Sequence, residues 1–165
     1  GYEVIVATQD FHPADHKSFA SVNEKDVYSV GELNGSPQVM WPDHCVQGSA
    51  GAKFHPDLNL TKKVKVFVKG TNKEVDSYSG FFDNDKNSST GMGEWLKAQG
   101  VTDVTIVGLA LDFCVKATAI DAVNLGFNTK VAVHATKAVN MMHGDDQRAI
   151  MDLIQAGVHI DSTKE

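Results

Sequence analysis

At 165 residues, with 42% hydrophobic and 22% charged side chains, the chain is sized for one domain with a real core and a hydrated surface. A net charge of −6 argues against nucleic acid or an anionic membrane as the main partner. No apolar run approaches the roughly 20 residues that cross a bilayer, and no basic start leads into an apolar stretch as in a signal peptide.

Taken in chain order, the first element is a buried strand over residues 4–8 (Val-Ile-Val-Ala-Thr). From Asp10 to about Leu60 the sequence is rich in His, Pro, Asn, Asp and Gly and has no sustained period. A stretch this long without regular structure is usually functional. Residues 63–68 (Lys-Val-Lys-Val-Phe-Val) alternate and then run apolar, as a strand does. Residues 90–99 read as a short helix closed by Gly100, and 103–107 as a β-branched strand. A helix over 113–125 ends at Gly126, and a strand follows at 130–133. Residues 146–156 form a helix with Asp145 as N-cap and Gly157 at its end, and 158–160 a last strand. Strand, helix, strand, helix, strand implies right-handed crossovers and a parallel sheet in an α/β fold.

Three groups of residues carry chemistry. The segment Gly108-Leu-Ala-Leu-Asp-Phe-Cys-Val-Lys116 joins a strand to the next helix, which places Cys114 in the first turn of that helix. Ligands of open α/β sheets bind beyond the carboxyl ends of strands, and a helix start favours an anion. A thiol so placed is expected to ionise easily and act as a nucleophile, with nearby N–H groups ready for an oxyanion. The plainer alternative is one more small buried side chain. Asp10-Phe-His12-Pro-Ala-Asp-His16 and Trp41-Pro-Asp-His44-Cys45 form the second group. A carboxylate and two imidazoles suit Zn²⁺, Fe²⁺ or Mn²⁺, with either His44 or His16 completing the set. Loop histidines bonded to backbone are the alternative. Third, Lys69 ends a strand, where it can hold a thiolate or carboxylate charged or simply meet water. Cys45 and Cys114 are too few for a small disulfide scaffold and lack C-x-x-C spacing, so reduced thiols in a cytoplasmic protein are expected.

Together these segments resemble the nicotinamidases within the isochorismatase-like cysteine hydrolases. The resemblance rests on Thr8-Gln-Asp-Phe-His-Pro13, Trp41-Pro-Asp-His-Cys-Val46, Lys69-Gly70, Val75-Asp-Ser-Tyr-Ser-Gly-Phe-Phe-Asp83 and Gly108-Leu-Ala-Leu-Asp-Phe-Cys-Val115, all in the family's order. It implies a single domain, a three-layer α/β/α fold around a mostly parallel central sheet. Its activity would be hydrolysis of nicotinamide to nicotinate and ammonia through a thioester, in NAD salvage, with pyrazinamide as a further substrate. By the same resemblance, Cys114 is the nucleophile and Lys69 the catalytic lysine, while Ala110 and Cys114 supply oxyanion-hole N–H groups. Asp10, His12 and His44 would hold one divalent ion, zinc ahead of iron or manganese, that binds the pyridine nitrogen. His16 aligns with a histidine that is a ligand in some members only. Trp41 and Tyr78 match pocket walls, and Leu109–Ala110 matches a cis peptide.

Two departures stand out. Leu111 replaces a frequent threonine, and the family's catalytic aspartate lies at the end of a central first strand that would precede Gly1. The expectation is therefore that the working protein carries such a strand upstream. The alternatives are another small-amide hydrolase of the family, or a chain that binds metal without turnover. A homo-oligomer is left open.

Overall fold

Residues 2–60 and 63–163 are described by the structure, a computed structural model. They gather into two compact units. One runs up to Ser77 and takes in Asp83–Thr90; the other holds Tyr78–Phe82 and the chain from Gly91 onward.

In the first unit, strand β1 (Val6–Asp10) pairs in parallel with β4 (Lys65–Lys69), residue by residue from Val6 opposite Lys65 to Asp10 opposite Lys69. Both begin two residues later than the apolar pattern suggests. The ladder is set by where backbone partners lie, and it carries both strands on to a charged residue. Between them sits a hairpin, β2 (Val30–Leu33) with β3 (Ser36–Val39), inside the stretch expected to be irregular. Its cue was Asn34-Gly35, at φ +51° and +74°. A two-residue loop with both residues left-handed matches the twist of a hairpin, and Asn-Gly is its preferred filling. The strands themselves carry little apolar periodicity, which hides them from a pattern search.

The second unit is the α/β alternation. Helix α1 (Met92–Ala98) precedes β5 (Asp103–Leu109). A π-helical turn, Leu111–Val115, then opens directly into α2 (Lys116–Asn124). Strand β6 (Asn128–Lys137), α3 (Asp145–Gln155) and β7 (His159–Asp161) follow, and β5, β6 and β7 form one parallel sheet in that order. Strand β6 is longer than expected because its pairing with β5 resumes past an irregularity, with Gly108 opposite Thr136. Helix α3 starts one residue earlier than read, so Asp145 lies inside it and Gly144 is its N-cap. The Asp145 carboxylate still accepts the Met142 N–H.

The core of this unit joins Leu111 and Val115 of the π-turn, Ala119 of α2, Val131 of β6, Ala149 and Leu153 of α3, and Val158. The turn that holds Cys114 is thus packed into the core by Leu111 and Val115. Leu153 is fully buried. Leu153→Ala should cost about 2–5 kcal/mol of stability, since a cavity adds to the lost transfer energy. Urea unfolding measures it, and a loss below about 1 kcal/mol would show this core to be loosely packed.

Candidate active site

The ends of β1 and β4 assemble the first group. In a parallel ladder, registered partners project to the same face, so Asp10 and Lys69 meet: Lys69 Nζ lies 2.5 Å from Asp10 Oδ1. The buried ammonium also donates to the Ser77 carbonyl at 2.7 Å. Burial pushes the Asp10 carboxyl up, but the charge and hydrogen bond of Lys69, helped by His12 and His44, hold it below the usual carboxylate range. Asp10 is therefore an anion at neutral pH.

His12 follows immediately and is almost fully buried. Its backbone is clamped by Cys45, whose carbonyl accepts the His12 N–H at 3.0 Å, and by Gln47, whose N–H donates back at 2.8 Å. Its Nδ1 meets the Gly70 carbonyl at 2.7 Å. Gly70 has φ +66°, and a Cβ there would collide with the His12 ring. Burial keeps His12 below the ordinary histidine value, against the opposing pull of the Gly70 carbonyl, Asp10 and Asp76. His44 is held in the same manner, with Nδ1 2.8 Å from the Pro42 carbonyl. A carbonyl can only accept, so in both rings Nδ1 carries a proton and Nε2 is the position that can meet a cation.

Asp10, His12 and His44 have ligand atoms within 4.8 Å of one another. One anionic carboxylate and two imidazoles with open Nε2 positions fit a divalent cation of the zinc, iron or manganese type.

His16 stands apart from that trio. It clusters with His12 and Asp76, all three buried. Its Nδ1 lies 2.8 Å from Ser18 Oγ and receives the Ser18 N–H at 3.2 Å. With Nδ1 accepting, the ring proton sits on Nε2, which is buried without a hydrogen-bond partner. The carbonyls of Val75 and Asn72 favour its charged form but offer no hydrogen-bonding geometry; burial, then the charge of His12, keep its pKa low. Asp76 is fixed by the Ser77 N–H at 2.8 Å and the Gln38 side-chain amide at 2.9 Å. Gln38 and Asp76 were not singled out as site residues in the sequence. The remaining four histidines, His55, His134, His143 and His159, are exposed.

Trp41 contacts His44 edge-on, with ring centroids 6.5 Å apart. Cys45, half-buried at φ +48°, has its thiol pushed up by burial and by the Asp10 charge, with Lys69 opposing.

The second unit carries the other group. Ala110 is extended, joined to Leu109 by a cis peptide bond, and its carbonyl accepts the Phe113 and Val115 N–H groups. Cys114 lies in the π-turn that follows, a wider coil than the α-helical turn expected. Asp112, buried in the same turn, accepts the N–H groups of Val139 and Asn140 at 2.9 Å each. Thr118 donates to the Cys114 carbonyl at 2.6 Å and accepts the Gly80 N–H at 2.9 Å. Tyr78 packs edge-on against Phe113 at 5.4 Å. The turn that holds Cys114 and the 78–80 segment are therefore pinned together.

The sequence and the fold both have known relatives. The isochorismatase domain family matches residues 1–165. The chain belongs to the isochorismatase family. A nicotinamidase of Escherichia coli (strain K12) is 44% identical over 155 residues, covering 94% of this chain and 73% of that relative. The solved nicotinamidase/pyrazinamidase of Acinetobacter baumanii superposes with a TM-score of 0.92 at 41% identity, covering 97% of this chain and 77% of the other. The pyrazinamidase of Pyrococcus horikoshii, solved in complex with zinc, superposes with a TM-score of 0.78 at 31% identity, covering 97% and 75%. The mixed α/β build with mostly parallel strands is thus the fold of this family. No helix among the described residues is long and apolar enough to cross a membrane.

Two outcomes check the site. Gly70→Ala should weaken binding of a divalent ion at least about tenfold, because its Cβ displaces His12, whereas Gly48→Ala, equally left-handed but with nothing nearby, should not. Calorimetric titration with Zn²⁺ reads both, and equal affinities would contradict the cradle. The pH dependence follows from His12 and His16, both held below the ordinary value of 6.5. The folded chain resists a proton that the unfolded chain accepts, so stability is full above about 6.5 and falls as pH drops below it. A melting temperature of the metal-free protein that stayed flat from about pH 7.5 to about pH 5.5 would exclude this.

Proposed function

We propose that this protein is a nicotinamidase: a cysteine amidohydrolase that converts nicotinamide to nicotinate and ammonia, returning the pyridine ring to NAD synthesis. The observation that carries the reading is the Asp10–His12–His44 donor set, with both Nε2 atoms left open by carbonyl bonds at Nδ1. A cysteine hydrolase needs no such set for its covalent chemistry, so a substrate with its own nitrogen donor accounts for it. The relatives named above share the activity by name and support it, as does the match of one family along residues 1–165, which favours a single hydrolase domain.

Cys114 supplies the thiolate that attacks the carboxamide carbon. The carbonyl oxygen gathers negative charge and is received by the N–H groups of Ala110 and Cys114. As the C–N bond breaks, the nitrogen takes up the proton that the Cys114 thiol gave up and leaves as ammonia; water then cleaves the thioester, its proton returning to the Cys114 sulfur, to give nicotinate. Lys69 keeps carboxylates near it ionised. Asp10, His12 and His44 would hold the divalent ion, zinc first by the chemistry of the donors, which when bound orients the pyridine ring through its nitrogen. His16 fits a supporting place beside His12 better than a ligand's. Trp41, beside the metal donors, and Tyr78, beside Phe113, each offer an aromatic wall to a planar ring, and pyrazinamide, which keeps one ring nitrogen meta to its carboxamide and adds a second ortho to it, is accepted as well.

The intact protein, loaded with Zn²⁺, Fe²⁺ or Mn²⁺, should release ammonia from nicotinamide. Cys114→Ala should abolish release, with a loss of at least about a thousandfold expected for a nucleophile, and a chelator should suppress it reversibly. Turnover that survives Cys114→Ala would overturn the thioester route. Turnover of other amides but not of nicotinamide would assign the protein to a different branch of the family.

A further inference from the structure

Tyr28 is half-exposed and has φ +68°, a backbone region that a bulky residue occupies only where its surroundings impose it. Its N–H donates to the Met40 carbonyl at 2.7 Å, and the Met40 N–H donates to Ser29 at 2.9 Å. Met40 is buried, so these bonds fix the base of the β2–β3 hairpin. None of them needs a tyrosine. A glycine would make the same backbone bonds without the strain.

What the tyrosine adds is its ring. It meets the Trp41 indole edge to face, with centroids 6.1 Å apart and planes at 86°. Trp41 in turn meets His44, so aromatic contacts run without a break from a half-exposed ring to a metal-ligand candidate. The backbone of Trp41 is held from both sides, its N–H by Ser18 and its carbonyl by the Ala20 N–H, each at 2.8 Å. The Tyr28 ring packs on the Trp41 side chain beside its other contacts, His44 among them, and so bears on how the indole is turned.

We infer that Tyr28 is a positioning residue that sets the angle of the Trp41 ring and thereby how well a planar substrate fits against it. The inference rests on the nicotinamidase reading and on Trp41 as a pocket wall. It explains why a strained tyrosine is kept where glycine would be more stable.

The test compares the intact metal-loaded protein with Tyr28→Gly, Tyr28→Asn and Tyr28→Phe, using nicotinamide kinetics, thermal melting and Trp41 fluorescence in a Trp95→Phe background. Tyr28→Gly and Tyr28→Asn, both at ease in the left-handed region, should melt no lower than the parent. Their KM should nevertheless rise about two- to tenfold, the worth of one aromatic contact, with kcat within about twofold. Tyr28→Phe keeps the ring and should restore the parental KM. A residue that only supported the fold would lower the melting temperature and leave KM alone. An unchanged KM in both Tyr28→Gly and Tyr28→Asn, or a Tyr28→Phe that fails to restore it, overturns the inference. If the parent releases no ammonia from nicotinamide, the functional reading fails instead. The fluorescence still decides the positioning: emission that shifts in Tyr28→Gly but not in Tyr28→Phe supports it, and emission unmoved by either sinks it.

Discussion

A lysine ammonium with almost no access to water must be answered where it sits, and in this chain the answer is Asp10. The two residues are the last registered pair of β1 and β4. Their meeting fixes where both strands stop and what comes next. The Phe11 N–H bonds to the Lys69 carbonyl, Gly70 turns left-handed, and the His12 ring settles over Gly70 where a side chain would otherwise stand. The positions of Asp10, His12 and Lys69 are thus consequences of one piece of strand pairing, and the Ser77 carbonyl accepts a further bond from the lysine.

The two cysteines sit in quite different surroundings. Cys45 lies in the field of the Asp10 carboxylate and is half-buried, both of which disfavour a thiolate. Its left-handed backbone aims its carbonyl at the His12 N–H, so its contribution is to hold a neighbour in place. Cys114 belongs instead to a turn braced by the carboxylate of Asp112 and the hydroxyl of Thr118. The N–H groups of Val139 and Asn140 donate to the Asp112 carboxylate and so tie this turn to the chain leading into α3.

Much of this was legible in the sequence. The β-branched run at Asp103 and the closing glycines at 100, 126 and 157 marked the α/β half, because burial and chain reversal leave direct traces in residue type. Asp10, His12, His44, Lys69 and Cys114 were legible as chemistry because their spacing and order match a family's motifs. What the sequence hid depended on partners distant along the chain. The hairpin at Val30–Val39 stabilises itself through a turn dipeptide with little apolar pattern, and strand ends followed the ladder rather than hydrophobicity. Asp76 and Gln38 became site neighbours only once the 75–77 segment was folded against His12 and His16. The role of His16 turned on which ring nitrogen accepts from Ser18, a matter of local geometry that no spacing encodes.

Both imidazoles of the candidate metal set take their orientation from main-chain carbonyls, those of Gly70 and Pro42. A carbonyl belongs to the backbone whatever side chain a residue bears. The directions of the two nitrogen donors are therefore insulated from most substitutions in their surroundings, Gly70 itself being the exception. Such a site can drift in sequence around fixed ligands, so that the walls become free to be retuned for differently shaped amides while the grip on the ion is inherited unchanged.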